Sequence, residues 1–279
     1  MRRVLVLGLL FALGGAGCIS GQSLRPKGLA RQPLLSLPQG PDVVQLHVAV
    51  VERRLGDSYI NQTLWASTDE QAAGIEQLAL LENNGFRVGQ VIGNLPSELL
   101  RMVENERYCG NQIGWFLRVG SSTPIKLGPA LAKCNYLVKY DDFCREVSTE
   151  QANCKFLIEP TLTADGKTRL RFTPMVEHGE AIMTIEAVPE FSSWECQVKQ
   201  QSHVYPELSW EVTLAPNEWL VVGTQLSQPR ALGYQAFVNE EGATPIQRIL
   251  VLRTNRPAPA SSGGDIPTPA GQALRSGSR

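Results

Sequence analysis

The chain has 279 residues, of which 43% are hydrophobic, and its formal net charge at pH 7 is −1. This length and composition are typical of one or two globular domains. A net charge so close to zero provides no overall attraction to nucleic acid or to an anionic membrane surface. We therefore expect no nucleic-acid partner.

The first 18 residues have the pattern of an export signal. Met1-Arg2-Arg3 is basic, residues 4–13 are apolar, and small residues lead to Cys18. The apolar run is too short to span a membrane, so it predicts a secretory signal peptide. Gly-Ala-Gly-Cys resembles a bacterial lipobox, which implies that Cys18 is modified with diacylglycerol and becomes the mature N-terminus. Ordinary cleavage nearby, without lipid, is the alternative. By the same resemblance, Ile19 after the cysteine favours the periplasmic side of the outer membrane.

Two further segments lack the pattern of a folded domain. Residues 19–41 are rich in Ser, Gly, Pro and Leu without periodicity, which predicts a flexible tether that reaches on the order of 25 Å. Residues 255–279 have no apolar pattern and predict a disordered tail. The folded body is therefore expected at residues 42–254.

The N-terminal third of the body mixes strands with short helices. Residues 42–53 predict a strand that is buried on both faces, because both alternating sets of residues are largely apolar. A helix is predicted over residues 74–81, after a possible N-cap at residues 67–70, and Asn84-Gly85 ends it. Strand 86–91 follows, and Pro96 opens a second helix with Leu99, Leu100 and Val103 on its buried side.

From Trp115 onward the pattern is that of strands separated by turns. The predicted strands are residues 115–119, 135–140, 154–159, 169–174, 181–187, 208–214, 219–222, 234–239 and 247–254. Turns are predicted at Asp165-Gly166, which would form a two-residue hairpin loop, and at His178-Gly179, Ala215-Pro216-Asn217 and Asp141-Asp142. Together these elements predict a β-rich α+β fold, with antiparallel sheets of hairpins and two or three short helices in the N-terminal third.

The sequence carries no recognisable catalytic motif, such as a P-loop, HExxH or GxSxG. Its three histidines are dispersed, and the cluster Glu177-His178-Gly179-Glu180 is interpreted as a polar hairpin turn. Trp194, Trp210 and Trp219 are interpreted as core or interface anchors. We therefore expect no enzyme activity, no cofactor and no metal site.

Six cysteines are present, and an exported chain can form disulfides. If Cys18 carries lipid, five thiols remain, which allows at most two bridges. A hairpin turn at Asp141-Asp142 would place Cys134 opposite Ser148 or Thr149 and Cys144 opposite Lys139, so neither cysteine faces another across that hairpin. We expect either Cys109 with Cys134 or Cys134 with Cys154, and Cys196 as the free thiol.

Several segments, taken in order, resemble the core domain of secretins, the outer-membrane ring proteins of secretion and pilus systems. They cover roughly residues 42–224 and include VVQLHVAVVER, GFRVGQVIGNLP, FLIEPTLTADGKTRLRFTPMVEHGEAIMTIEAVPE and LSWEVTLAPNEWLVVGTQ. The resemblance implies the fold of that domain and a place in protein secretion or a related envelope assembly.

Two hypotheses for the function follow. The first is a non-catalytic cell-envelope protein, a secretin-like structural or interaction module that is anchored to a membrane and assembles with itself or with an envelope partner. The second is a periplasmic module that binds a small ligand, a peptide or a glycan through exposed aromatic residues such as Trp194 and Tyr205.

Overall fold

The computed structural model describes residues 42–110, 112–140, 143–188 and 193–255, with side chains for all of these except residues 186–188 and 193–197. All of them belong to one compact unit, residues 39–279. The predicted signal peptide, its Cys18, the tether, the tail beyond Asn255 and the pair Asp141-Asp142 lie outside the described residues.

The described chain contains twelve strands and three short α-helices. In chain order they are β1 (Val43–Arg54), α1 (Ile75–Asn83), β2 (Phe86–Val91), α2 (Ser97–Glu104), β3 (Gln112–Arg118), β4 (Thr123–Lys126), β5 (Leu131–Lys139), β6 (Cys144–Leu162), β7 (Thr168–Val188), β8 (Ser193–Val204), β9 (Trp210–Leu214), β10 (Trp219–Thr224), α3 (Leu232–Phe237), β11 (Val238–Asn239) and β12 (Ile246–Asn255). A π-helical turn at Tyr59–Thr63 and 3₁₀ turns at Trp65–Ser67 and Pro206–Leu208 complete the elements.

The first sheet has the strand order β2-β10-β12-β1-β3, and β11 also pairs with β12. All of its ladders are antiparallel, and the register of the central pair sets Val48 opposite Leu252. Successive side chains of a strand point to opposite faces. Val48 and Leu252 therefore face one hydrophobic cluster, while Ala49 and Val251 face another. The prediction that β1 is buried on both faces is confirmed.

The second sheet is a meander of long strands in which β6 pairs with β7. β4 and β5 follow one another along one side of β6, and β8 and β9 do the same along one side of β7. Each long strand is interrupted near its middle. Gln151 in β6 has φ 51°, and Gly179 in β7 has φ 76° next to a shift in the pairing with β8. Such irregularities bend a strand.

The main core lies between the two sheets. Phe156 of β6 lies at its centre and contacts four other aromatic rings. Phe172 and Trp210 belong to the second sheet, Phe86 belongs to the first sheet, and Phe237 belongs to α3. Trp210 stacks on Phe172 with centroids 5.0 Å apart. Trp210 is thus the core anchor that the sequence predicts.

A second cluster covers the other face of the first sheet. Trp65 packs there against β2 and β10, where Gly89 and Gly223 leave room for it, since an added Cβ would come within 3.3 Å and 3.1 Å of its ring. The guanidinium of Arg87 lies 4.5 Å from the centre of the same ring. Helix α2 and Cys109 complete this layer.

The antiparallel, β-rich α+β class is confirmed. The helices are not confined to the N-terminal third, because α3 replaces the strand predicted at residues 234–239. Helix α1 begins at Ile75, so the predicted N-cap at residues 67–70 was too early, but it ends as expected, with Gly85 at φ 77°. In α2, Leu99 and Val103 are buried as predicted, whereas Leu100 is exposed.

The long hairpins differ most from the prediction. His178-Gly179 is not a turn, because β7 continues through it as a single strand of 21 residues. Asp165-Gly166 is a turn, with Gly166 at φ 82°, but the loop is longer than two residues because the ladder closes at Leu162 and Thr168. The turn at residues 215–217 connects β9 and β10, which belong to different sheets.

Candidate functional site

The outer half of the β7–β8 hairpin extends the two strands as a two-stranded ribbon. We call residues 182–188 of β7 and 193–199 of β8 the hairpin arm. Its register pairs Met183 with Val198 and Ile185 with Cys196. Met183, Ile185 and Val198 are 70%, 67% and 65% exposed. Alternation places Met183 and Ile185 on one face, with Ile182 on the other. The arm therefore presents large apolar side chains to solvent.

Among the described residues, no third strand pairs with either strand of the arm. β6 pairs with β7 between Thr168 and Glu177 and not beyond, and β8 pairs with β7 alone. On the far side of the sheet, the outer edge of β5 is contacted at two points: the N–H of Leu137 donates to the carbonyl of Arg230 at 2.7 Å, and the side chain of Asn84 bonds the backbone N–H and C=O of Lys139. A strand edge that no other strand covers can pair with a further strand.

A cleft of about 610 Å³ lies between the first sheet and the segment that runs from β4 to Pro129. Its wall is mainly apolar and includes Val48, Val50, Ile113, Trp115, Ile125 and Leu127. Four charged residues, Glu52, Lys126, Lys155 and Arg248, also line it. Mostly apolar walls with a few polar groups are typical of ligand sites, and this volume is within their usual range.

Arg248 is the most buried of these charged residues, at 3% exposed. The β1–β12 register sets it opposite Glu52, and its Nε–H donates to Glu52 Oε1 at 2.7 Å. Lys155 forms an ion pair with Glu177, and the β4–β6 register sets it directly opposite Lys126. The cleft thus collects cationic residues from three strands.

The structure brings two of the predicted cysteines together. Cys134 and Cys154 are buried in the main core as free thiols joined by a side-chain hydrogen bond. This hydrogen bond to Cys134, together with burial, raises the pKa of Cys154 well above its usual range. Cys109 packs in the cluster on the opposite face of the first sheet, so the structure does not bring it to Cys134.

The expected hairpin register of the cysteines is confirmed, with Cys134 opposite Thr149 and Cys144 opposite Lys139. Between the segment of β6 that pairs with Cys134 and Cys154 itself lies Gln151, whose φ of 51° the sequence did not predict. The side chain of Cys196 lies outside the described residues.

One of the two aromatic residues proposed for ligand binding, Tyr205, is not exposed as expected. Tyr205 is buried, its hydroxyl is 2.6 Å from that of Tyr136, and burial raises its pKa to about 12. The side chain of Trp194 lies outside the described residues. Trp219 is half-buried beneath the guanidinium of Arg253, at 4.7 Å. The prediction that Tyr205 is an exposed ligand-binding residue is therefore wrong.

His178 and His203 lie on adjacent strands with their rings stacked, 4.5 Å between centroids. Burial, followed by the charges of His178 and Arg145, lowers the pKa of His203. In the part of the chain that the structure describes, no group of three or more His, Cys, Asp or Glu side chains could hold a metal ion.

Comparisons with protein-family models, curated proteins and solved structures find no match to this chain. Among the described residues, no helix is both long and apolar enough to cross a membrane.

Sequence reasoning missed both the arm and the cleft. The first strand of the arm was predicted at residues 181–187, but the predicted turn at Gly179 separated it from the strand before it, and the sequence did not indicate that Ile182, Met183 and Ile185 are exposed. The cleft had a weaker signal, Arg248 placed directly before the apolar run of residues 249–252.

Proposed function

We propose that this chain is a non-catalytic cell-envelope protein that is anchored by lipid at Cys18 and assembles with further copies of itself through the hairpin arm. The observation that carries the proposal is the exposure of Met183, Ile185 and Val198 on a ribbon with which no third strand pairs among the described residues. An isolated two-stranded hairpin is at best marginally stable in water. A partner that covers the apolar face and pairs with an edge would stabilise it.

A second copy of the chain is the partner that this geometry favours. The same molecule carries an arm that no third strand covers and, on β5, an outer edge that is contacted at Leu137 and Lys139 and forms no ladder over residues 131–135 among the described residues. Pairing the arm of one copy with the β5 edge of the next is a heterologous contact, which closes into a ring or continues as a filament. This arrangement agrees with the secretin-like interpretation of the sequence, in which the protein serves an envelope assembly.

The test is the size of the soluble chain that begins at Gln39, measured by analytical ultracentrifugation over a series of concentrations. We expect an oligomer, and we expect Met183→Glu with Ile185→Glu to weaken its association by at least about 100-fold. Burial of each such side chain contributes about 1.5–3 kcal/mol, and each 1.4 kcal/mol is a factor of about ten in affinity.

The control is Ile182→Glu, which places one negative charge on the opposite face of the same strand, at a side chain whose exposure, 63%, is similar to that of Met183 and Ile185. It should leave association largely intact. A chain that stays monomeric at every concentration would refute the assembly proposal. Lipid anchoring is tested separately, by fatty-acid labelling of the full chain: label that is unchanged in Cys18→Ala would refute it.

A further inference from the structure

The cleft between the first sheet and the β4–Pro129 segment contains one buried arginine, Arg248. Arginine carries five N–H donors in a planar fork. Arg248 donates its Nε–H to Glu52 Oε1, the one side-chain hydrogen bond of its guanidinium among the described residues. Its terminal nitrogens are not among the described side-chain atoms that are fully enclosed and lack a partner. They are therefore accessible from the cleft, where an acceptor can bind them.

Gly128 permits this arrangement. It lines the cleft, and a Cβ added to it would lie 2.9 Å from Nη1 of Arg248 and 3.0 Å from Cζ. Any larger residue would displace the guanidinium. Because Gly128 has no side chain, the charged group can lie against the cleft wall.

The remaining charges favour an anion. The lining contains three cationic residues, Arg248, Lys126 and Lys155, and one carboxylate, Glu52. Two of the cations, Lys126 and Lys155, stand directly opposite one another in the β4–β6 ladder, a pairing of like charges that destabilises a sheet unless a counter-charge is near. Lys155 has Glu177 as its partner, whereas Lys126 makes no ion pair among the described residues.

We propose that the cleft binds a small amphipathic anion, with its carboxylate or phosphate head at the terminal nitrogens of Arg248 and its hydrocarbon body along Val50, Ile113 and Leu127. The charge of the head complements the cationic excess, and the apolar wall accounts for the body. This inference goes beyond the assembly proposal and does not depend on it, because none of the cleft residues belongs to the hairpin arm.

The test is isothermal titration calorimetry on the soluble chain that begins at Gln39, with probes below their micelle-forming concentrations. Decanoate and decyl phosphate carry the two head groups on one body, inorganic phosphate lacks the body, and decyltrimethylammonium reverses the charge. We expect one decanoate or one decyl phosphate per chain, with phosphate and decyltrimethylammonium far weaker. The tighter of the first two identifies the head group.

Arg248→Met should weaken decanoate binding by about 10- to 100-fold, the range for a hydrogen bond to a charged group. Gly128→Ala keeps every charge but displaces the guanidinium, and it should weaken decanoate binding by about tenfold. This second variant tests the proposal even if Arg248→Met fails to fold. The control is Lys133→Met, which removes an exposed lysine of β5 outside the cleft. Equal binding of decanoate and decyltrimethylammonium, or decanoate binding unchanged in Gly128→Ala, would overturn the proposal.

Discussion

Replacing Phe156 with alanine should produce one of the largest losses of stability available in this molecule. Phe156 is fully buried, and its ring centre lies 5.1–6.1 Å from the centres of four other rings, those of Phe86, Phe172, Trp210 and Phe237. These rings come from both sheets and from α3. A Phe-to-Ala change in a core costs about 3–5 kcal/mol, which includes the cavity that it leaves. Aromatic pairs are worth about 0.5–1.5 kcal/mol beyond the buried area, so we expect the upper half of that range.

The assay is equilibrium unfolding in urea of the chain that begins at Gln39, followed by far-ultraviolet circular dichroism. The matched control is Phe143→Ala, since Phe143 is 60% exposed and stacks on Tyr140 alone among the described rings. It should cost about 1 kcal/mol or less. Suppose that Phe156→Ala lowered the free energy of unfolding by less than about 2 kcal/mol and left its dependence on urea concentration unchanged. The two sheets would then not share the core described above.

Smaller perturbations test single contacts. Asn84→Ala should lower the free energy of unfolding in the same assay by about 2–4 kcal/mol, because the backbone N–H and C=O of Lys139 lose their partners at 2.8 and 2.7 Å. In the exported form that the proposal above assumes, Cys134 and Cys154 should be joined by a disulfide, formed by thiol–disulfide exchange with a disulfide donor of that compartment. Mass mapping checks this, and alkylation of both thiols without prior reduction would contradict it. Because burial lowers the pKa of His203 below its ordinary value of 6.5, the unfolded chain binds protons more readily at this site. The contribution of His203 to stability is therefore complete above about pH 6.5 and is lost as the pH falls towards the lowered pKa. His203→Gln should reduce the pH dependence of the free energy of unfolding, measured by urea titrations between pH 7.5 and 5.5.

The sequence predicted elements whose signals are local. Alternation located β1, β10 and β12, and Asn84-Gly85 ended α1 at the expected place. The second role of Asn84 has no local signal: its side chain joins the end of α1 to Lys139 of β5, 55 residues away. Such bonds arise from tertiary packing, which a single sequence does not display.

The strand predicted at residues 234–239 and the turn predicted at Gly179 were both wrong because tertiary contacts outweigh the local preference. Residues 234–239 have strand-like composition, yet α3 forms, and a Cβ on Gly233 would lie 2.5 Å from the backbone of Gly85. Close packing against β2 thus overrides the local preference. At Gly179 the sequence favours a turn, but Gln200 of β8 donates to its carbonyl at 2.7 Å, so the positive φ is accommodated within a continuing strand.

The cleft could not have been derived from the sequence for a related reason. Glu52 and Arg248 are 196 residues apart and meet because β1 pairs with β12 in one register. A shift of that register by one residue would turn Arg248 to the opposite face of the sheet. The site is therefore a property of the topology.

The division of the molecule into a packed sandwich and an arm that no third strand covers makes the proposed assembly experimentally separable from folding. The aromatic residues that hold the two sheets together belong to the main core, whereas Met183, Ile185 and Val198 are exposed and belong to neither hydrophobic cluster. Exposed positions contribute little to folding stability, usually within about 0.5 kcal/mol. Glutamate at residues 183 and 185 should consequently abolish association while leaving the urea midpoint of the monomer nearly unchanged. A variant that lost association and also unfolded at a lower urea concentration would show that the arm is part of the folding core. The exposed apolar face would then contribute to stability and would not be evidence for assembly.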